Sequence, residues 1–467
     1  MKEFSLATLA RIINAQIVQP AAADRRRARP DLICTRVSTD SRTIRAGDCF
    51  FAVRGKRFDG HDYLREAYER GAVCAVIDRP PGHSTPAGKC LLRVRDTVAA
   101  LGQLAGQYRK QAGFTVVAIT GSVGKTTTRQ IVAHVLGRHF RVHQSPRSFN
   151  NNIGVPLTLL SADPDDQIVV AELGSNHPGE IAYLTRITLP DIAVVTNVHP
   201  AHLEGFGDLA AIVTEKLAIS EGLDPGGTLI VNADSAGLVD ACGARGLEFV
   251  TFGRSETARY RAEDVRCEGL SSRFTIDGVQ IRLPLPGAGN VENALAAWAV
   301  CSKLGIGIED FAAAVQSFPP VAMRAEPLNI GTLTVLNDCY NANPASMQNA
   351  LDILKTLGSQ KRRRLVFICG DMAELGRDAD RLHASLGASI ARAKVKLLIA
   401  VGRLARIAAE HATKIADYNL KTECFGDAAS ACNNLHGLIK DYDIILVKGS
   451  RSVGLELAVD RLKELFA

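Results

Sequence analysis

The sequence predicts an α/β protein of three domains. These are a small N-terminal α/β domain (1–95), a central domain on a P-loop-type parallel sheet (96–320), and a C-terminal Rossmann-like α/β domain (321–467). Three observations predict it. Short Val/Ile/Ala-rich runs alternate with helical stretches along the chain, the pattern of parallel sheets covered on both faces. A glycine loop follows one of these runs directly. After Phe318-Pro319-Pro320 the alternation restarts, and a Pro-Pro pair ends regular structure and stiffens a junction. At 467 residues the chain is also too long for one ordinary core.

The elements follow in order. The opening MKEFSLATLARIINAQ reads as an amphipathic helix rather than a signal peptide. GDCFFAV (47–53), AVCAVID (72–78) and CLLRV (90–94) read as strands, with a helix around 61–70. A helical pattern from Thr97 to Lys110 leads into FTVVAIT (114–120), the glycine loop, and a helix whose apolar face carries Ile131, Val132, Val135 and Leu136. DQIVVAELG (166–174), DIAVVTNV (191–198) and GTLIVNAD (227–234) continue the central sheet. TLTVLND, RLVFICG, VKLLIAVG and DIILVKG form the last set, and the final helix spaces Leu455, Val459, Leu462 and Phe466 helically.

Composition excludes several classes. The net charge is +6, and the basic runs RRRAR (Arg25 to Arg29) and KRRR (Lys361 to Arg364) are short, isolated and free of interleaved aromatics. They read as solvated loops, so no nucleic-acid partner is expected. Eleven cysteines without a C-x-x-C pair argue against zinc and disulfide frameworks and for a reducing cytoplasm. No apolar run approaches the roughly 18 residues of a membrane span, so no insertion is expected.

AITGSVGKTTT (118–128) carries the first chemistry. A full phosphate loop, G-x-x-x-x-G-K-[ST], would start at 119, where this chain has Ile119. Gly121, Ser122, Val123, Gly124, Lys125, Thr126 and Thr127 nevertheless lie between a strand and a helix. Glycines let backbone N–H groups turn toward phosphate, the helix start adds positive dipole, Lys125 neutralises β and γ oxygens, and the Thr126 hydroxyl reaches Mg²⁺. An ATP-type site is therefore expected despite the shortened loop. Hard oxygen donors suit Mg²⁺, and Glu172 ends a buried strand where an open α/β sheet forms its ligand crevice. His202 follows the end of the next strand. Each alone has a structural reading, helix cap or core histidine; together beside the loop they favour a site. Lys216, among Ile212, Val213, Leu217 and Ile219, reads from spacing alone as a snorkelling surface lysine.

TGSVGKTTT resembles the loop variant T-G-x-x-G-K-[ST]-[ST] of the Mur ligases, which form amide bonds with ATP during peptidoglycan synthesis. VSTDSRTIRAGDCFFAVRGKRFDGHDY, NNNIGVPLTLL, AELGSNHPGEI, HPAHLEGFG, EKLAISEGL, GNVENALAAW, MRAE, NDCYNANPASM, GDMAELG and VKGSR carry the resemblance over almost the whole chain. It implies that Lys125 and Thr126 hold the ATP phosphates and a first Mg²⁺, with Glu172 a shared ligand. It implies that His202 and Lys216 serve a second Mg²⁺, the lysine as its CO₂ adduct. Asn290 and Asn293 would lie near the adenine, Arg324 near the γ-phosphate, and Asp338 on the ribose. Ser38, Thr39, Asp40, Ser41 and Arg42 would cradle a uridine end, and Asn150 and Asn151 a muramoyl-peptide portion. Tyr340, Asn341 and Asn343 would serve substrate from the C-terminal domain. Asp371 and Glu374 of GDMAELG, and Lys448 to Arg451, read equally as an acidic helix start and a strand-end cap.

Pairing NDCYNANPASM with GDMAELG is most similar to the member joining D-alanyl-D-alanine to UDP-N-acetylmuramoyl-tripeptide; a monomer is expected. The D-N-P-R tetrapeptide of the member adding the third amino acid is absent. Where many relatives have glycine-arginine before the junction, this chain has Met323-Arg324. Two alternatives stay open: another amide ligase on the same ATP module, such as the member adding the third amino acid or a folylpolyglutamate-type enzyme, or a phosphate-loop switch or transport ATPase. The second needs none of His202, Lys216 or Asp338.

Overall fold

The computed structural model describes residues 3–18, 32–55, 57–80, 89–235, 237–361 and 363–467. The basic run Arg25 to Arg29 lies outside these residues, as does Arg362 of the second run. The three-domain α/β architecture is the one observed, each domain carrying its own mainly parallel sheet. No helix among the described residues is long and apolar enough to cross a membrane.

The first sheet runs Gln16–Val18, Cys90–Arg93, Cys74–Ile77, Asp48–Phe51, Arg36–Ser38, antiparallel at the first pair and parallel after it. The amino-terminal helix is shorter than its pattern predicts, Leu6–Ile12. Ser5 starts it by accepting from the Thr8 N–H at 3.2 Å, and Asn14, at φ +50°, ends it. Phe4–Ser5 pairs instead with Ile33–Cys34, and Gln16–Val18 with Cys90–Arg93. Ladder hydrogen bonds outside the helix thus outweigh the amphipathic period that spans it.

Strand pairing also makes a thiol cluster that spacing hides. Cys49 sits opposite Cys74, and Cys74 opposite Cys90. The sulfurs of Cys34, Cys49 and Cys74 lie within 4.8 Å of one another, and all eleven cysteines are free. Burial pushes the Cys49 thiol up, and hydrogen bonds with Cys34 and Cys49, then burial, push up that of Cys74, so both pack as small apolar groups with Phe4, Leu6 and Phe51.

Seven parallel strands make the central sheet, in the order Tyr260–Arg261, Val250–Gly253, Thr228–Asn232, Ile192–Val195, Thr115–Thr120, Ile168–Glu172, Val142–Gln144. Helices Lys125–Leu136 and Ala288–Lys303 cover one face, packing Ile131, Val135, Val291 and Leu295 on Val117, Ile119, Val170 and Val194. Ala118, Ala171, Ala193 and Val195 face the other way, against Ile181, Leu184, Ile212 and Leu217. Both faces are dry, which is why the strands read as unbroken apolar runs.

The helix Thr97–Gln111 serves two cores. Its Leu101, Leu104 and Tyr108 pack with Phe4, Leu9 and Cys49 of the first sheet and with Phe114, Val116 and Leu159 of the central domain. An antiparallel sheet, Glu263–Glu268, Ser271–Ile276 and Val279–Leu283, has no counterpart in the sequence reading. Its second strand alternates strictly between half-buried and buried residues, and the Asp277-Gly278 turn has φ of +49° and +80°, a hairpin signal present in the sequence.

Pro319 and Pro320 are exposed between helix Ile308–Gln316 and the strand Glu326–Ile330. The C-terminal sheet then runs Glu326–Ile330, Leu333–Asn337, Ile444–Lys448, Leu365–Gly370, Leu397–Val401, Lys421–Phe425, antiparallel only at its first pair.

Candidate active site

Strand order reverses about Thr115–Thr120, and the chain leaves that strand and its two neighbours into one crevice. Gly121 and Gly124 have φ of +142° and +87°. A Cβ on Gly121 would stand 2.0 Å from the Thr196 hydroxyl, and one on Gly124 2.0 Å from Asn293 Oδ1. The two glycines are thus fixed by conformation and by space alike. Asn197 braces the loop, accepting from the Ser122 N–H through its carbonyl at 3.0 Å and from the Val123 N–H through its side chain at 2.9 Å. Lys125 opens the helix Lys125–Leu136 and donates to the Gly121 carbonyl at 2.6 Å.

Glu172 is 1% exposed, and the Thr126 hydroxyl donates to its Oε2 at 2.8 Å while Asn150 Nδ2 donates to its Oε1 at 2.9 Å. It is therefore no helix cap. Arg129, one turn beyond Lys125 and 2% exposed, lies 3.6 Å from Glu172. The sequence reading missed it, although an arginine on a helix face carrying Ile131 and Val132 has to bring a buried anion with it.

Lys216 contradicts its reading from spacing. It is 2% exposed, its ammonium donates to the Ser175 hydroxyl at 2.7 Å, and it stands 5.4 Å from the Phe206 ring centre. Snorkelling needs a route to water, and helix Leu209–Leu217 turns this position inward against the Gly174–Glu180 segment, where neighbouring Glu215 accepts the N–H groups of Gly179 and Ile181. Burial first, then Lys125, lowers the Lys216 ammonium to about 7. His202, at φ +54°, is likewise held below the usual imidazole range by burial and Lys125, and its Nδ1 contacts Glu374 of the C-terminal domain.

A cavity of about 730 Å³ is lined by the loop and by Asn150, Asn151, Glu172, Ser175, His202, Asn290 and Asn293 on the central side. Arg324, Asp338, Tyr340, Asn341, Asn343 and Glu374 line it from the C-terminal side. Lys216 lies behind Ser175 rather than on the wall. Asn293 accepts from the Thr128 hydroxyl and donates to Asn290 Oδ1, while Asn151 and Asn343 accept from the first N–H groups of the helices that follow them. The Arg324 guanidinium lies over the Tyr340 ring at 4.3 Å, and the Tyr340 hydroxyl contacts Ser148. Asp338 accepts from the Ala325 N–H at 3.0 Å and pairs with buried Lys448 at 2.7 Å. Lys448 therefore does more than cap a strand.

Ser38 to Arg42 do not join this cavity. They form a self-bonded turn in the first domain. Ser38 Oγ accepts from the Asp40 N–H, Ser41 donates to Glu66 at 2.9 Å, and Arg42 pairs with Asp40 at 2.8 Å. Thr39 stands within this turn, half-buried. Met323 has φ +60°. A left-handed backbone at that place is what glycine supplies without strain, so the glycine expected there has a conformational reason.

The chain is similar to proteins of known name. The Mur ligase middle domain matches residues 119–301, the Mur ligase family catalytic domain 34–109, and the Mur ligase glutamate ligase domain 323–451. The UDP-N-acetylmuramoyl-tripeptide--D-alanyl-D-alanine ligase of Bacillus subtilis is 34% identical over 92% of this chain and 93% of its own. That of Escherichia coli is also 34% identical, over 93% and 95%. MurF from Acinetobacter baumannii superposes with a TM-score of 0.87 at 30% identity over 99% of both chains. MurF from Thermotoga maritima in complex with ADP gives 0.80 at 26% identity, over 92% of this chain and 97% of that one. Taken with the crevice and its shortened glycine loop, these likenesses lead to one statement of kinship: the chain belongs to the Mur ligase family.

Proposed function

We propose that this chain condenses D-alanyl-D-alanine with the terminal carboxylate of UDP-N-acetylmuramoyl-tripeptide. It consumes ATP, releases ADP and phosphate, and works as a cytoplasmic monomer in peptidoglycan synthesis. One observation carries the reading: Lys125, Thr126, Glu172 and His202 of one domain face Arg324 and Asp338 of another across one cavity. A carboxylate is a poor electrophile, so ATP must first give it a leaving group. The carboxylate oxygen bonds to the γ-phosphorus, the bond to the ADP oxygen breaks, and an acyl phosphate results. The dipeptide amine then bonds to the acyl carbon, loses a proton, and phosphate leaves.

The chain's own groups divide this work. Backbone N–H groups after Gly121 and the start of the Lys125–Leu136 helix hold the phosphates. Lys125 and Arg324 place positive charge on the transferring oxygens, from opposite walls. Asn290 and Asn293 flank the adenine, and Asp338, fixed by Lys448, meets the ribose. Asn150, Asn151, Tyr340, Asn341 and Asn343 orient the peptide end, and the Ser38–Arg42 turn the distant uridine end.

The residues fit magnesium. The Thr126 and Glu172 oxygens are 2.8 Å apart, both are hard donors, and an amine titrating near 7 takes up CO₂ to become an anionic oxygen ligand. Thr126 and Glu172 would hold one ion, and Glu172, His202 and carbamylated Lys216 a second; when bound they supply Lewis-acid neutralisation of phosphoryl charge.

The test uses tripeptide substrate labelled with oxygen-18 in its terminal carboxylate. One label should appear in the released phosphate, and phosphate release should require D-alanyl-D-alanine rather than free diaminopimelate, lysine or pteroyl substrates. Unlabelled phosphate, or turnover with any of those instead, would refute the reading.

A further inference from the structure

Resting on that reading, we infer that Glu374 holds the terminal ammonium of the incoming dipeptide beside the acyl group it will attack. The GDMAELG turn is otherwise without work in the mechanism. Its two acids behave differently. Asp371 accepts from the Ala405 N–H at 2.7 Å and closes onto Gly402, so it serves the local fold. Among the described residues no backbone N–H donates to the Glu374 carboxylate; its side chain is half-exposed and reaches the central domain.

Five carboxylates line the cavity. Glu172 is bonded to Thr126 and Asn150 with Arg129 beside it, and Asp338 is paired with Lys448. Glu292 faces Arg254 at 3.5 Å, and Glu180 accepts the N–H groups of Asn176 and His177. Among the described residues Glu374 alone has neither a lysine, an arginine nor a backbone donor against it. Among the described residues its one side-chain partner is His202, an imidazole rather than an ammonium or a guanidinium. The acceptor brings the cation that this anion lacks.

Placement and rigidity agree. In the proposed reaction the transferring phosphoryl group sits by Glu172 and His202, which line the same cavity as Glu374, so a side chain touching His202 lies on the acyl side of that cavity. The turn is held on its own domain by the Ala373 N–H donating to Ser450 Oγ at 2.8 Å and the Met372 N–H donating to His383 Nε2 at 3.0 Å. Glu374 has φ +61°, and its carbonyl accepts the Glu204 N–H of the central domain at 3.2 Å. A glutamate kept in the left-handed region by bonds on both sides is aimed rather than free.

The experiment compares wild-type full-length protein with Glu374→Gln, which keeps the shape and removes the charge. Four quantities are read: KM for D-alanyl-D-alanine, the inhibition constant of D-lactoyl-D-alanine, in which hydroxyl replaces ammonium, the Mg²⁺ requirement, and acceptor-independent acyl phosphate formation by positional isotope exchange. Removing a charged hydrogen-bond partner should raise KM about 10- to 100-fold. The hydroxyl analogue should bind both proteins alike, with exchange and Mg²⁺ requirement unchanged. Parallel weakening of dipeptide and analogue overturns the proposal, because a merely shaping contact would affect both. Unchanged KM, lost isotope exchange, or a raised Mg²⁺ requirement overturns it as well. A wild-type protein that never ligates the dipeptide would instead sink the functional reading itself.

Discussion

Replacing Lys216 by methionine should make the metal-free protein more stable while ending ligation. Methionine is unbranched, apolar and of similar length, so it fills the same space without a charge. In the folded chain burial and Lys125 bring the ammonium from its ordinary 10.5 to about 7. The unfolded chain keeps its proton until about pH 10.5, so between pH 7 and 10.5 the unfolded state binds more protons and wild-type stability rises with pH. The gap of roughly 3.5 units corresponds to a destabilisation of about 5 kcal/mol well below pH 7, about 4 kcal/mol at pH 7, and less than about 1 kcal/mol by pH 10. Losing the Ser175 hydrogen bond offsets about 1 kcal/mol of the variant's gain. Urea unfolding in CO₂-free buffer with chelator, at pH 7 and pH 10, measures the difference between the two proteins, in which other titrations cancel. Methionine should win by a few kcal/mol at pH 7 and by little at pH 10. Added bicarbonate with Mg²⁺ should then raise the stability of the wild type alone. An equal difference at both pH values, or none at pH 7, would refute a buried, mostly neutral amine.

Other perturbations test separate links. Lys216→Ala should abolish ligation, with partial recovery when short carboxylic acids are added; an unimpaired enzyme would remove the carbamate role. Gly124→Ala places a methyl group against Asn293 at a φ of +87°, so affinity for a non-hydrolysable ATP analogue, read by calorimetry, should fall at least ~100-fold with the domain still folded. Met323→Gly should leave stability within ~1 kcal/mol and keep activity, whereas β-branched Met323→Val should cost at least ~1 kcal/mol in thermal unfolding; the reverse order would contradict the left-handed backbone there. Swinging of the C-terminal domain about Pro319-Pro320 should change the X-ray scattering curve on adding the ATP analogue with UDP-substrate. Superimposable curves would exclude that closure.

Much of the site was legible because its parts are local. Gly121, Gly124, Lys125 and Thr126 sit at fixed offsets between a strand and a helix, and that junction is itself the proposed phosphate site. Glu172 and His202 could be ranked as candidates because strand ends in a parallel sheet converge. Lys216 could not, since its helix shows lysine and apolar neighbours alike and only packing on the Gly174–Glu180 segment decides which side is dry. Arg129 has no place in the sequence reading, although its burial follows from the isoleucine and valine beside it. The Asp277-Gly278 hairpin was also readable, and its strict alternation was lost among stronger parallel-strand runs.

By itself the sequence determined the three-domain α/β plan, the shortened glycine loop and the residues proposed for metal and phosphate, because apolar periodicity and glycine conformation act over a few residues. Only the tertiary structure decided that Lys216 is dry, that Glu374 faces His202 from another domain, and that three cysteines meet in one core. Burial, charge pairing and titration depend on what is brought near from far along the chain, and no local pattern encodes that distance.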